Sequence, residues 1–588
     1  MIRFSFISLI GILCALSASA ASKRPNVILI VTDDQGYGDM SCHGNPWLKT
    51  PNLDRMHRES VRLEDYHVDP VCTPTRAALM TGRHSLRVGA WAVTEGRQLL
   101  NPDETTMAQV FAASGYRTGM FGKWHLGDTH PYAPRFRGFQ DVVKHMAGGI
   151  DEIGNPKGNN YFDDTLYRNG KPEEFQGYCT DIFFRETISF ISGVQTKNKE
   201  LGTKAPFFIY LPLNAMHGPF TVAENYWKRF AKEHPENRAK FYGMIENFDE
   251  NLGRLFAALE QTKLEDDTIV IFMGDNGTAG GISRSEKTGG FNAGMRGKKA
   301  SVYEGGHRVA CFVRWPGGLK AGVEVEQLTS NHDWLPTLID LCSLKKPQGI
   351  RFDGRSIASL LHNEAVDWPE RKVFIERQGD QPVMGQTMAP EGGKRYPQYA
   401  VLTERWRMVN GELYDILVDP GQQQNVAGRH PRVVADLYRA YREHFVDVTS
   451  HGAKNTPFHI GSSEEQETTI TVRDWHPTVG NVIWQKEDLS DDTRDINGFW
   501  SVEVRTPGRY RFVLTRHPHD DLKPIGANKA RIRFGDLEKE LVLQPTDKQA
   551  VFEIDLTPRQ AVLQTWLTDA TTGKERGAYY VTVCVLSR

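Results

Sequence analysis

Apolar and polar positions fall into three textures along the chain. In the first, unbroken apolar runs alternate with helix-spaced stretches. Asn26-Val-Ile-Leu-Ile-Val-Thr32, Pro206-Phe-Phe-Ile-Tyr-Leu211 and Thr268-Ile-Val-Ile-Phe-Met273 place β-branched and aromatic residues at consecutive positions, the pattern of strands buried on both faces of a parallel sheet. Residues 106–114 and 241–259 read as helices between such runs. This alternation predicts an α/β fold over residues 24–365, a large mixed, mostly parallel sheet flanked by helices. Residues 135–180 are rich in Gly, Asn and Asp without a period, which predicts long loops over the pocket that set substrate choice. In the second texture, residues 399–402, 406–409 and 412–415 read as short strands ahead of a helix at 430–446, a smaller α+β unit over 366–447. In the third, from about residue 458 to 588, the period becomes two. Short runs at 469–472, 499–504, 510–514, 530–534, 540–543, 550–556, 561–567 and 578–583 are divided by turns such as Thr506-Pro507-Gly508, predicting an added antiparallel β-sandwich. Trp475, Trp484, Trp500 and Trp566 read either as sugar platforms or as the core of that sandwich.

Charge narrows the partners. The 588 residues carry 71 basic and 73 acidic side chains, a net charge of -2. No global field points to nucleic acid or to a membrane surface. Met1-Ile2-Arg3, an apolar stretch to Leu16 and the small residues Ser17-Ala18-Ser19-Ala20-Ala21 have the order of a secretory signal over residues 1–21. Cys14 follows Gly11-Ile12-Leu13, a poor lipidation site, so the expectation is an exported chain, periplasmic or extracellular, without a stable membrane anchor. Cys42, Cys72, Cys179, Cys311, Cys342 and Cys584 remain, sparse and without Cys-x-x-Cys spacing. That argues against a disulfide scaffold and a zinc site, and leaves one disulfide open.

The chemistry gathers where apolar runs end. Asp33 and Asp34 follow the first run, and Asp275 and Asn276 follow the run 268–273; open α/β sheets hold their ligands at such strand ends. Three carboxylates and an amide oxygen are hard donors that favour Ca2+ or Mg2+. Cys72-Thr-Pro-Thr-Arg76-Ala-Ala-Leu-Met-Thr-Gly82-Arg83 opens a short helical run that starts near Pro74 and ends at Gly82. This segment resembles the type I sulfatase signature, whose Cys is converted to formylglycine. The companion motifs are similar to that family's in the same order: Gly122-Lys123-Trp124-His125, His217-Gly218-Pro219, and Lys299 five residues ahead of Glu304-Gly305-Gly306. The adjacent Lys298 reads as a solvated surface lysine.

The resemblance implies an alkaline phosphatase-like fold over residues 25–447, with 366–447 as the family's C-terminal subdomain. It also implies a site. Asp33, Asp34, Asp275, Asn276 and an oxygen of matured residue 72 would bind one divalent cation, Ca2+ with Mg2+ as the alternative. Cys72 would be the nucleophile, as a formylglycine gem-diol. Arg76 and Lys123 would hold that diol, His125 would be the base, and Lys299 and His217 would grip sulfate and protonate the leaving oxygen. A formylglycine-generating enzyme is then an obligatory partner, and a sulfated carbohydrate is the implied substrate. Hydrolysis of phosphate or phosphonate monoesters and non-catalytic binding of sulfated glycans are the alternatives.

Overall fold

A computed structural model of the chain describes residues 24–282, 290–377, 398–450, 455–491, 493–569 and 571–586. The secretory signal expected at 1–21 lies outside the described residues.

A ten-stranded sheet organises the first part of the chain. Its centre is the run expected from the apolar pattern: Asn26–Thr32 lies between Thr268–Gly274 and Phe207–Pro212, parallel to both. Arg117–Gly122 and Asp141–Lys144 continue the parallel order on one side, while Cys311–Arg314 adds antiparallel on the other. Because successive side chains point to opposite faces, Val27, Leu29 and Val31 enter one core while Ile28 and Ile30 enter the other. Two cores explain why these strands lack polar positions. The helix Cys179–Leu201 and the long helix Glu236–Gln261 help build one of these cores. Met107–Ala113 belongs to the other, and Thr106 starts it with a capping box to Gln109.

Residues 135–180 are only partly loop. Asp141–Lys144, Thr165–Arg168 and Lys171–Glu174 extend the sheet to its edge, and Cys179 already begins a helix. The last two strands are two-residue-turn partners around Asn169-Gly170. They carry too few apolar residues to register as a period, so the neighbouring strand supplies the order that their composition lacks.

A four-stranded antiparallel sheet, Val373–Arg377, Gln398–Leu402, Trp406–Val409 and Glu412–Asp415, follows, with the helix Pro431–Thr449. Two further sheets then face each other as a sandwich. Their pairing is antiparallel except that Phe458–Ile460 joins Asn497–Val504 in parallel. The sandwich core holds Trp475 and Trp500 fully buried, which removes these two as sugar platforms, while Trp484 is exposed. Leu99, Tyr132 and Ile153 of the first part enter the same cluster, so the sandwich shares its core with the large sheet's loops. The six cysteines from Cys42 onward are all free thiols, and no disulfide forms among the described residues. No helix among them is long and apolar enough to cross a membrane.

Candidate active site

Strand register brings the predicted carboxylates together. Thr32 lies opposite Gly274, so Asp33-Asp34 and Asp275-Asn276 leave adjacent parallel strands at the same level. Asp34 N donates to Asp275 Oδ1 at 3.1 Å and Asn276 Nδ2 to Asp34 Oδ1 at 2.9 Å. Arg117–Gly122 ends at the same edge and delivers Lys123 and His125. Gly122 has φ 131°, and its Cα lies so close to the adjoining strand that a Cβ would sit 1.8 Å from Pro212 O.

Cys72 is itself the first residue of a helix, Cys72–Thr81, two residues earlier than Pro74 suggests, and every side chain of that helix is buried. Gly82 closes it in the left-handed conformation at φ 66°. Val71, at the N-cap, makes no side-chain cap bond. Pro74 has no N–H and Thr75 N bonds Val71 O, so the N–H groups of Cys72 and Thr73 keep their donor capacity, which together with the helix dipole favours an anion.

The side chains interlock. Cys72 Sγ stands 3.4 Å from His125 Nδ1. Lys123 Nζ donates to Asp33 Oδ2 at 2.6 Å. Arg76 reaches Asp275 Oδ2 with Nε at 3.1 Å and Nη2 at 2.7 Å, and gives Nη1 to Lys123 O at 3.0 Å. Lys299 Nζ lies 2.7 Å from Asp34 Oδ1. Lys298 is not a solvated lysine: it is half-buried and its ammonium donates to Ala279 O and Ile282 O at 3.0 and 3.1 Å. His217 is half-buried at the rim, its Nδ1 2.7 Å from Gly218 O.

Electrostatics assign protonation. Burial raises Asp33 well above the ordinary carboxyl range, Asp275 adding to it. Burial also pushes Asp34 up, but Lys299, His217 and Lys123 outweigh it and bring Asp34 to about 2. Burial opposes the Lys299 charge, yet Asp34 and its neighbours hold that ammonium above its usual value. Burial and then Lys123 and Arg473 depress His125 far below its usual value, so it is neutral. Its Nε2 faces Val93 O at 3.0 Å; a carbonyl only accepts, so Nε2 carries the ring proton and Nδ1 is the free acceptor toward Cys72. Burial, then Lys299 and Lys123, lower His217 to about 4.

The donor set fits a hard cation. Asp33 Oδ1 and Asn276 Oδ1 are buried without a hydrogen-bond partner among the described residues, which is costly unless something else takes their lone pairs. Ligand atoms of Asp33, Cys72 and Asp275 lie within 4.8 Å of one another. With Asp33 ionised, Arg76, Lys123 and Lys299 balance Asp33, Asp34 and Asp275; a divalent ion on Asp33 would favour that ionised form and would leave the net positive charge that an anionic substrate requires. Asp34 and His125 have φ of 64° and 58°, left-handed backbone at non-glycine residues of the kind that clusters at working sites.

Residues with no sequence signal complete the surroundings. The Val93 carbonyl has no side-chain signature. Gly148 packs on the His125 ring, where a Cβ would stand 2.6 Å from Cε1. Glu152 Oε2 accepts from Gly148 N at 3.0 Å and from Arg473 Nη2 at 3.0 Å, and Arg473 comes from the sandwich.

Comparison with known proteins gives a consistent picture. The family described as Sulfatase matches residues 25–344, and the description N-sulphoglucosamine sulphohydrolase, C-terminal, matches residues 296–447. Arylsulfatase A of Homo sapiens is 29% identical over 477 residues, covering 73% of this chain and 89% of its own length. Arylsulfatase J of Mus musculus is 30% identical over 473 residues, covering 72% and 76%. Among solved structures, Ps i-CgsB in complex with k-i-k-neocarrahexaose superposes with a TM-score of 0.61 at 27% identity, over 71% of this chain and 92% of that one.

Proposed function

Because the chain belongs to the sulfatase family, the type I enzymes of the alkaline phosphatase-like superfamily, and is a sulfuric ester hydrolase, we propose that residue 72, matured from cysteine to formylglycine, is its nucleophile. Asp33, Asp34, Asp275 and Asn276, with an oxygen of residue 72, hold one divalent cation, Ca2+ with Mg2+ as the alternative. The substrate is a sulfated carbohydrate, with aryl sulfates as artificial substitutes. Arylsulfatases and the complex of Ps i-CgsB with k-i-k-neocarrahexaose among the similar proteins support that class. Residues 24–365 form the catalytic domain, 366–447 its C-terminal subdomain and 458–588 the accessory sandwich; the chain is exported by its leader.

The observation that carries the reading is the meeting of Cys72 with a neutral His125, 3.4 Å away, beside orphaned oxygens of Asp33 and Asn276. A hydrated aldehyde at residue 72 supplies two hydroxyls, one to attack sulfur and one whose proton is removed to release sulfate. A cation on the carboxylates supplies Lewis acidity and positive charge. Around them the chain's own groups act. Lys123, fixed on Asp33, and Arg76, fixed on Asp275, hold the residue-72 oxygens in place. His125 Nδ1 accepts the proton of the hydroxyl that does not attack, with Val93 O fixing its tautomer. Lys299 and His217, at the rim, bind the sulfate oxygens, and one of them protonates the departing alcohol oxygen. The free N–H groups of the helix that Cys72 begins add donors for the anion.

The test is the mass of the peptide containing residue 72, from protein made together with a formylglycine-generating enzyme. It is paired with assays on 4-nitrophenyl sulfate and 4-nitrophenyl phosphate. Loss of hydrogen sulfide with gain of oxygen, and faster turnover of the sulfate ester, are expected. An unmodified thiol in a protein that still hydrolyses sulfate, or faster turnover of the phosphate, refutes the assignment.

A further inference from the structure

A cavity of about 600 Å³ lies between the loops of the large sheet and the C-terminal sandwich, and His125 stands in its wall. The imidazole that faces Cys72 through Nδ1 is therefore also the boundary of a second space. The opposite wall is one face of a sandwich strand. Along Glu467–Thr471, Thr468 and Ile470 are buried, whereas Glu467, Thr469 and Thr471 line the cavity, as the two-residue period of a strand requires.

Three polar atoms in the lining have no hydrogen-bond partner among the described residues although their side chains are almost wholly buried: Gln98 Oε1, Thr129 Oγ1 and Arg473 Nε. Their residues are 4%, 8% and 4% exposed. An acceptor, a hydroxyl and a donor around one cavity are the complement of sugar hydroxyls, which each give and take a hydrogen bond. Tyr167 and Tyr580 supply apolar wall for the C–H faces of a ring. Charge selects further. Asp128, Glu467, Asp474 and Asp520 line the cavity, Asp128 held by Lys144 at 2.6 Å, and Arg473 is the one lysine or arginine among the described lining residues. That guanidinium already pairs with Glu152 at 3.0 Å. A second sulfate or a uronate would meet more negative than positive charge here, whereas an uncharged ring would not.

We propose that this cavity is a saccharide subsite shared by the catalytic domain and the sandwich, taking an uncharged sugar next to the sulfated one. The proposal rests on the sulfatase reading and names the substrate class for it: oligosaccharides whose sulfated residue has a neutral neighbour. It also gives the sandwich a part in substrate selection, because without Arg473 and the Glu467–Thr471 face the cavity has one wall.

The matured enzyme is assayed on three probes: 4-nitrophenyl sulfate, which is too small to span His125 and the cavity; sulfated galactan oligosaccharides with uncharged flanking sugars; and chondroitin 6-sulfate oligosaccharides, flanked by uronates. The galactan oligosaccharides are expected to be desulfated with the higher kcat/KM. Thr469→Trp, which puts an indole into the cavity from its sandwich wall, is expected to lower the ratio of kcat/KM for galactan oligosaccharide over aryl sulfate at least tenfold, through KM. Arg473→Gln, which removes the open donor, lowers the same ratio and provides a second variant should the tryptophan disturb the strand. An unchanged ratio in both variants, preference for the uronate-flanked esters, or turnover of aryl sulfate with no galactan ester cleaved overturns the subsite. If the wild-type protein, shown by mass to be matured at residue 72, releases sulfate from no ester at all, the sulfatase mechanism itself falls and the subsite with it.

Discussion

At the scale of single residues, the site is a set of charges that hold one another. Arg76 and Asp275 are wholly enclosed, so neither charge is tolerable without its partner. Cys72 has a different standing: a buried thiol with modest contacts, whose worth is chemical. Cys72→Ala is expected to abolish sulfate release, at a stability cost of about 1 kcal/mol for the lost sulfur. Turnover together with the melting temperature checks this, and near-native rates in the variant would end the mechanism. Asn276 contributes an orphaned amide oxygen. Asn276→Ala is expected to weaken cation binding about 10–100-fold, read by calorimetric titration of calcium into chelated protein, which needs no catalysis. Equal affinity in the two proteins would remove Asn276 from the ligand set.

At the scale of elements, the strand Arg117–Gly122 shows how backbone geometry serves chemistry. Lys123 N bonds Pro212 O at 2.6 Å, and the strand can approach so closely only because position 122 lacks a side chain. Gly122→Ala must push the strand end away, moving Lys123 and His125 together. We expect a loss of about 2–4 kcal/mol in chemical denaturation and a fall in kcat of two orders of magnitude or more. A variant with full stability would show that the contact is less constrained than the geometry implies. The helix Cys72–Thr81 obeys the same economy: its start has no side-chain cap, and its glycine end closes it in the left-handed conformation.

At the scale of the whole molecule, the three parts are joined by buried polar contacts. Arg407 of the four-stranded sheet donates to Glu304 Oε1 at 2.8 Å and to Asp65 Oδ1 at 2.7 Å. Arg473 of the sandwich meets Glu152. Histidines are buried at these joints, and burial first lowers them, helped by neighbouring cations or histidines and opposed at His444 by Asp353: His307, His444 and His476 to about 3 and His84 well below its usual value. A folded-state value below the unfolded one means that the unfolded chain binds more protons between the two. The stability is fully present above about pH 6.5 and is lost as pH falls toward 3, by up to about 1.4 kcal/mol per histidine per pH unit. The melting temperature is therefore expected to drop steeply between pH 7 and pH 5. A flat profile over that range would mean these rings are hydrated or protonated in the native state.

Much of this was legible in local sequence. The central strands announce themselves because burial on both faces demands consecutive apolar residues. The two Asp-led turns and the Cys72 signature are compact segments whose chemistry is carried by neighbours in sequence, and the sandwich strands reveal themselves by their period of two. What local sequence could not supply is every relation between segments far apart in the chain. Whether Lys298 or Lys299 meets Asp34, a distance of some 265 positions, is decided by packing. So is the order in the edge strands of residues 135–180, which borrow their pairing from a neighbour. Trp475 and Trp500 look alike in sequence whether they face a sugar or a core, and only the second sheet closing over them buries both. Val93, Gly148 and Arg473 gather around His125 because the large sheet and the sandwich share one core there. Residue type determined which chemistry the chain could perform; tertiary packing decided which groups stand within reach of it, since contact distances are set by the fold and not by spacing along the chain.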